Sequence, residues 1–374
     1  MINFFRKNLN LLNILIILIF GYIFFFYHIN TYDLHFDEIH WFYWSDPTLS
    51  FFETIDRLNN YISSHPPLFS LINKFFLNFK NETHILRYIT AVNMMINSII
   101  FYYILRKLFN NFFYSLFGSV LFISNIFIIF YAQRFANYSL LLFFELFSFL
   151  YLLKLLEKEK KKKNLIIFSS INFLGLATHL YFLLYLAPIS VWLLLNFKKK
   201  INIIISIIFS IITFLLLGNN FILNAFKVGF SNTNVTFDLI NSHFLVYFYG
   251  GKYLTYLSYF LIAIYCSYLF HKRNKLDFIF ILLLIIPYLT VYLFNLVIGN
   301  AWIDGKHLIF FIPFLIIIFF KVTDYIKFFY DKKYFYIIPI ILIFFGQLIA
   351  LYRNYYPNEF NKNLIRRNVE LKSF

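Results

Sequence analysis

A short acidic string follows the first hydrophobic segment of the chain. It reads DLHFDEIHWFYW and contains the adjacent carboxylates Asp37 and Glu38. Neighbouring residues on a helix point about 100° apart, so we expect the two side chains to do different work. One can act as a general base while the other orients a partner or the loop. In the alternative interpretation, both are solvated loop acids paired with Arg57 or Arg87, since acids are common in exposed loops.

Basic residues near the ends of apolar segments form a second group. Arg134 lies in YAQRFANYS, and Lys306 and His307 lie in IDGKHLIFFIPF. An arginine close to lipid is costly unless it has an anionic partner. Two cations that meet on one face would suit a phosphate group, which arginine can bind through two donors. The alternative is ordinary snorkelling of each side chain to lipid headgroups.

Histidines give a weaker signal. A lone histidine in a membrane protein is more often a hydrogen-bonded group than a ligand, so His65 and His179 are only candidates for substrate binding. A metal held by His35, His40, His65 and His179 with a carboxylate lacks support, because no helical H-x-x-x-H spacing typical of zinc is present. We therefore assign no metal ligand and no certain cofactor, and leave a divalent metal open. Glu145 lies deep in an apolar segment and is expected to face protein rather than lipid.

Composition excludes a soluble protein. The 374 residues are 61% hydrophobic and 13% charged, with a mean hydropathy of +0.71. Only lipid can cover that much apolar surface. The net charge of +16 is spread over short connections, which fix membrane orientation and form no basic face for nucleic acid. The single cysteine, Cys266, excludes an intrachain disulfide.

Apolar runs predict an all-α polytopic membrane protein with about eleven transmembrane helices. The fifth and sixth are short and share the polar corner Thr178-His179, so they can also be one bent unit. The predicted spans are Leu9–Tyr27, Leu86–Leu105, Phe112–Tyr131, Tyr138–Leu153, Leu165–Thr178, Tyr181–Phe197, Ile201–Leu217, Tyr253–Phe270, Leu276–Ile298, Leu308–Phe320 and Tyr334–Leu351.

Basic residues predict the orientation. With the N-terminus inside, most lysines and arginines fall in short inner connections, as the positive-inside rule requires. The acidic pair, His65, Arg134, His179 and the 300–307 loop then share the outer face. We divide the chain into a membrane domain of residues 1–351 and a short outer tail of residues 352–374.

The first outer loop, residues 28–85, is long and has helical patterns. Phe51, Ile55, Leu58 and Ile62 fall on one helical face after Pro47, and a second such stretch runs from Pro66-Pro67 to Phe79. Both suit helices lying in the membrane interface. We expect this loop to hold the carboxylates against the membrane.

The order of these segments resembles a known superfamily. An apolar span, an acidic pair, HPPLFSLINKFF and ILRYITAVNMM follow one another, and QRFANYSLLLFFELFSFLYLLK, LGLATHLYFLLYLAP and GKHLIFFIPFL come later. This order resembles the GT-C glycosyltransferases that use polyprenyl-phosphate sugars, especially the protein O-mannosyltransferases and lipid A aminoarabinose transferases. The resemblance extends to about Leu351.

The resemblance implies an inverting sugar transfer from a polyprenyl-phosphate donor to a glycan, lipid or protein hydroxyl. It implies that Asp37 activates the acceptor with support from Glu38, and that Arg134 and Lys306 contact the donor phosphate, with Tyr138 and His307 beside them. Many relatives have an Arg-Tyr pair where this chain has Lys306-His307. The implied location is a bacterial inner (plasma) membrane, with the N-terminus cytoplasmic and the site on the outer face.

Two other classes remain as alternatives. A secondary transporter or lipid flippase should have polar or broken helices near the bilayer midplane and related half-repeats. In this chain the ionisable residues gather near one face, and only Glu145 and a few asparagines lie deep. A non-catalytic scaffold would leave the acidic pair without a purpose.

Overall fold

The structure is all-helical. The computed structural model describes residues 2–27, 29–30, 34–60, 65–79, 82–157, 162–196, 200–218, 221, 236–248, 252–272, 274–298, 305–329 and 338–355. Within these ranges the chain forms sixteen α-helices and no strand. They are α1 Ile2–Phe26, α2 Phe36–Trp44, α3 Phe51–Asn60, α4 Leu68–Leu77, α5 Thr83–Phe109, α6 Phe112–Ile123, α7 Ile126–Ala132, α8 Tyr138–Glu157, α9 Lys162–Thr178, α10 Phe182–Asn196, α11 Ile201–Leu217, α12 Phe237–Tyr247, α13 Lys252–Lys272, α14 Phe278–Ile298, α15 Phe311–Phe329 and α16 Ile338–Tyr355, with a 3-10 turn at Gly305–Leu308 before α15.

Helices lie at all eleven positions that the apolar runs predict. By length and apolar composition, five of the described helices could cross a membrane: α1, α5, α8, α13 and α14. The pair α6–α7 makes a sixth if it counts as one span, whereas α10 and α11 are shorter apolar helices. The all-α membrane fold is confirmed, and the number of crossings stays a prediction. The fifth and sixth segments are two separate helices, α9 and α10, joined by residues 179–181.

The third predicted span is broken. Helices α6 and α7 meet at an angle of 64°. Asn125 caps α7, because its Oδ1 accepts hydrogen bonds from the amides of Phe127 and Ile128, while its Nδ2 donates to the Tyr247 carbonyl at 3.1 Å. Side chains thus satisfy polar groups that a break exposes inside a membrane. The bend directs the end of α7, at Ala132, towards the segment that carries Arg134.

The helix bundle has two distinct polar ends. Helix α5 packs against α1, α6 and α8, and α8 packs against α9. At one end Lys107 of α5 pairs with Glu157 of α8, and Lys321 pairs with Asp277 at 3.0 Å. The opposite end carries α2, the α7–α8 and α9–α10 connections and the 3-10 turn, and we call it the site end. Helix α15 is apolar and buried through most of its length, so it lies in the interior of the bundle.

The first loop folds into three short helices rather than two. The predicted interfacial helices correspond to α3 and α4, and Phe52 of α3 is 78% exposed, whereas Leu58 is fully buried. Helix α2, which carries the acidic pair, and α12, between α11 and α13, were not predicted. Ile62 and the tail beyond Tyr355 lie outside the described residues, and α16 continues past the predicted boundary at Leu351.

Candidate functional site

The acidic pair opens helix α2. His35 caps this helix, since its Nδ1 accepts a hydrogen bond from the Asp37 amide at 3.3 Å. Glu38 reaches back so that its Oε2 accepts from the His35 amide at 2.8 Å. The two acids then point in different directions, as their adjacent positions on a helix require. The Glu38 side chain is buried, whereas that of Asp37 is 39% exposed.

Glu38 is fully occupied by protein donors. Arg87 of α5 binds it with two donors, Nε to Oε1 at 2.9 Å and Nη2 to Oε2 at 2.8 Å. The Phe135 amide donates to Oε1 at 3.1 Å, and the third guanidinium nitrogen of Arg87 donates to the Ile29 carbonyl at 3.1 Å. A buried pair with its remaining positions hydrogen-bonded ties together three distant parts of the chain. This geometry favours a positioning role for Glu38 over direct proton transfer.

Asp37 faces the basic residues instead. Its Oδ2 lies 3.9 Å from the Lys306 Nζ and 3.8 Å from the His35 Nδ1. The Lys306 side chain is 13% exposed, and its ammonium lies 6.0 Å from the centre of the Tyr138 ring. Arg57, which could have paired with the acids, binds Asp46 at 3.3 Å. One carboxylate and one ammonium therefore share a partly open site.

Arg134 borders the same site. Its guanidinium carbon lies 4.0 Å from the centre of the Phe130 ring, and the next residue donates its amide to Glu38. Burial lowers the pKa of His35, and the nearby positive charge of Arg134 lowers it further. The Glu38 network therefore holds Arg134 next to the cap of α2. In the preceding turn, the Gln133 Nε2 donates to the Phe24 and Tyr27 carbonyls at 3.2 and 2.7 Å, which fixes this segment to α1.

Three histidines form a cluster beside Lys306. The ring centres of His65 and His179 are 5.4 Å apart, and those of His179 and His307 are 5.3 Å apart. The rings of His307 and Tyr181 are stacked with their centres 4.1 Å apart, and the ring centres of His307 and Tyr138 are 5.9 Å apart. We call these three imidazoles with the two tyrosines the histidine cluster. All of the candidate residues that the sequence indicates thus lie at the site end.

Burial keeps the imidazoles neutral. Burial lowers the pKa of His65 to about 4, and the positive charge of Lys306 contributes to this lowering. Burial and the neighbouring histidine likewise hold the pKa of His179 and of His307 well below the usual range. Within the described part of the chain, no three His, Cys, Asp or Glu side chains are arranged to hold a metal ion. The cluster can offer hydrogen bonds and flat ring surfaces.

Sequence reasoning missed part of this site. The sequence offered Arg87 only as one of two alternative partners of the acidic pair. An arginine near a membrane span is costly unless it is paired, and this cost could have identified Arg87 as a buried ion-pair partner. The cap at His35 has a local signal, an acid three residues further on. His243, whose Nδ1 lies 3.0 Å from the Tyr288 hydroxyl behind Gly305, gave no signal.

Comparison with known proteins identifies the fold. No family model and no curated protein sequence matches the chain. The structure is similar to ArnT from Cupriavidus metallidurans bound to undecaprenyl phosphate, with a TM-score of 0.56 and 9% identity over 84% of this chain. Apo ArnT gives a TM-score of 0.54 and 11% identity over 85% of this chain. An Archaeoglobus fulgidus oligosaccharyltransferase in complex with zinc and sulfate gives 0.47 at 10% identity, covering 77% of this chain and 44% of that one.

The chain spans about 60% of the length of the two ArnT structures. At these identities the likeness is one of fold. The chain is an integral membrane protein with the GT-C fold of ArnT, as the order of its sequence segments predicted.

Proposed function

We propose that this protein is a membrane glycosyltransferase that moves a sugar from a polyprenyl-phosphate carrier to a hydroxyl acceptor. The observation that carries the proposal is the meeting of Asp37 with Lys306, 3.9 Å apart, beside Arg134. An exposed carboxylate can remove a proton, and two cations can bind a phosphate. The transfer would take place on the outer face of a bacterial inner membrane.

The charges of the site suit this reaction. The oxygen of the acceptor hydroxyl would attack the anomeric carbon on the side opposite to the phosphate. Asp37 would accept the proton of this hydroxyl during the attack. The bond from the anomeric carbon to the phosphate oxygen breaks with inversion, and the polyprenyl phosphate leaves with the electron pair. Lys306 and Arg134 would stabilise the charge that develops on that phosphate. Because the leaving group is already an anion, it needs cations more than a general acid.

Glu38 and Arg87 would act by positioning. Their buried pair links the start of α2 to the Phe135 amide, next to Arg134. The base and one of the phosphate-binding cations are thus held by one carboxylate. Tyr138, His307, His65 and His179 would form the wall against which the donor headgroup or the acceptor lies, and their neutral imidazoles can both donate and accept hydrogen bonds.

Two further facts support the proposal. The ArnT structure of the same fold was obtained with undecaprenyl phosphate, a polyprenyl phosphate. In addition, the exposed aromatic residues of α3, Phe51 and Phe52, suit contact with a membrane surface from which a lipid carrier would enter.

The decisive experiment is a transfer assay with the purified full chain. The protein is incubated in lipid with a panel of radiolabelled polyprenyl-phosphate sugars and membrane extract, and transfer to extract components is followed by chromatography. We expect transfer from at least one donor, and loss of this transfer in Asp37→Asn. Asp46→Asn is the matched control, because Asp46 is an acid of the same loop that binds Thr48 and Arg57 away from the site.

Each outcome bears on the proposal. Full turnover by Asp37→Asn would remove Asp37 from the role of base. Absence of transfer from every donor, in protein that is folded by size-exclusion chromatography, would contradict the glycosyltransferase assignment itself. Equal loss of activity in Asp46→Asn would mean that the loop, rather than the carboxylate of Asp37, is what the reaction needs.

Lipid transport is the second candidate function. The broken span α6–α7 is a feature that many transporters use near the bilayer midplane. A transbilayer assay with labelled polyprenyl phosphate in proteoliposomes separates the two functions. Rapid translocation that is unaffected by Asp37→Asn, together with no sugar transfer, would favour the flippase.

A further inference from the structure

Glu145 is a buried acid that the proposed reaction does not use. It lies in the middle of α8 with no solvent exposure, and neither of its carboxyl oxygens has a hydrogen-bond partner. No basic side chain in the described residues pairs with it. Burial of an ionised carboxylate without a partner is very costly, and such residues in membrane spans usually mark a function.

Polar groups from two other helices surround Glu145. Ser148, one turn further along α8, donates to the Asn172 Oδ1 of α9 at 2.7 Å. The Tyr185 hydroxyl of α10 lies beside Ser148 and Glu145. The Asn172 Nδ2 has no hydrogen-bond partner, the Tyr185 hydroxyl interacts with Ser148, and both residues are fully buried. Three unsatisfied polar atoms, the two carboxyl oxygens of Glu145 and the Asn172 amide nitrogen, therefore lie in one region of the interior beside the Tyr185 hydroxyl, and we call this region the polar pocket.

Such a cluster requires a ligand that can both donate and accept hydrogen bonds. Each unsatisfied buried group costs about 1–3 kcal/mol, so three of them in one place need an explanation. A metal cation would bind the oxygens but would leave the Asn172 amide group without an acceptor. An anion would bind that amide and be repelled by an ionised carboxylate. Water can accept from Asn172 while it donates to Glu145 and to the Tyr185 oxygen, and buried waters make about three hydrogen bonds.

We propose that Glu145, Asn172 and Tyr185 enclose an internal water site in which Glu145 is uncharged. The proposal does not depend on the glycosyltransferase assignment. It explains why three helices carry polar side chains at the same depth of the bundle.

The polar pocket lies beneath the histidine cluster. Glu145 follows Tyr138 by seven residues on α8, and Asn172 precedes His179 by seven residues at the end of α9. Two helical turns span about 10 Å, which places the pocket about that far below the site end. Tyr185 lies on α10, one turn below Tyr181, which directly precedes that helix. Bridging water would therefore join the three helices α8, α9 and α10 below the cluster.

Infrared difference spectroscopy of the full chain in lipid tests the site. The difference spectrum of wild type minus Glu145→Gln should contain the C=O band of a protonated carboxyl group. This band should shift to lower frequency in D₂O. Glu157→Gln is the matched control, because Glu157 is an exposed acid of the same helix that pairs with Lys107. This control should lose carboxylate bands instead.

A second variant probes the shared water without removing the acid. Tyr185→Phe deletes one hydroxyl and should move the Glu145 band to higher frequency, since the bridging water loses one of its partners and binds the carboxyl group less firmly. Three results would overturn the proposal: carboxylate bands alone in the Glu145→Gln difference, a carboxyl band that does not respond to D₂O, or a band unmoved in Tyr185→Phe. The last test stands even if Glu145→Gln does not fold.

Discussion

Replacing Glu38 by glutamine tests whether this acid positions the site or takes part in proton transfer. The substitution keeps the shape of the side chain but removes its charge, and it leaves the Arg87 guanidinium buried with 2% exposure. Breaking a buried pair by removing one charge costs about 3–5 kcal/mol, because the remaining ion loses its compensation. We therefore expect a large loss of stability in Glu38→Gln.

Asp37→Asn is the matched comparison at the adjacent position. Asp37 is 39% exposed, and the Lys306 ammonium lies 3.9 Å from its Oδ2. Exposed pairs contribute about 0–1 kcal/mol, so this variant should unfold almost as the wild type does. The two variants should therefore differ. Glu38→Gln should lose stability, whereas Asp37→Asn should lose sugar transfer and keep its stability.

The assay is thermal unfolding of purified protein in detergent, followed by tryptophan fluorescence and by the loss of the monodisperse peak in size-exclusion chromatography. The double variant Glu38→Gln/Arg87→Met should be more stable than Glu38→Gln, because it no longer leaves an unpaired buried cation. Unchanged stability of Glu38→Gln would refute the reasoning. A double variant that is less stable than Glu38→Gln would show that packing of the arginine, rather than its charge, is what matters.

Three further predictions follow from other parts of the structure. Lys306→Met and Arg134→Ala should each lower the rate of sugar transfer on the order of 100-fold, by loss of charge stabilisation at the departing phosphate; unchanged kcat/KM for the donor would contradict the phosphate assignment. Stability should fall as the pH drops from about 6.5 towards 4. The pKa of His65 is lowered to about 4 in the folded protein, so the unfolded chain binds the proton first. In a profile of thermal stability against pH, His65→Asn should flatten this part of the curve. Gly175→Ala should destabilise the protein by about 1–3 kcal/mol, since its Cβ would lie 2.5 Å from the rigid ring of Phe182, and a melting temperature equal to that of wild type would argue against this close contact.

Hydrophobic pattern alone located the helices. Lipid requires every spanning backbone to satisfy its own hydrogen bonds, so a long apolar run leaves little choice of structure. Outside the spans, water can satisfy the backbone, and an apolar run constrains the structure less. Helix α2 is only nine residues long, and an acidic pair followed by mostly aromatic residues gives it no clear helical face, so its existence depends on the cap at His35 and on the buried Glu38.

The sequence also indicated which segments meet. Alternation of basic and apolar segments placed the acidic pair, Arg134, His179 and Lys306 on one face, and the structure brings these residues to one end of the bundle. The adjacent positions of Asp37 and Glu38 further indicated that their side chains would point in different directions, because neighbouring positions on a helix diverge. Which of the two acids is buried was not determined by these local rules.

Tertiary structure alone decided the roles within the site. Glu38 meets Arg87 across 49 residues of chain and the Phe135 amide across 97, and no local pattern encodes contacts at such separations. The neutral state of the histidines likewise follows from the burial that packing imposes on them. Hydrophobicity is a property of each segment and can be seen in the sequence, whereas the pairing and the solvation of a charge depend on what the folded chain places next to it.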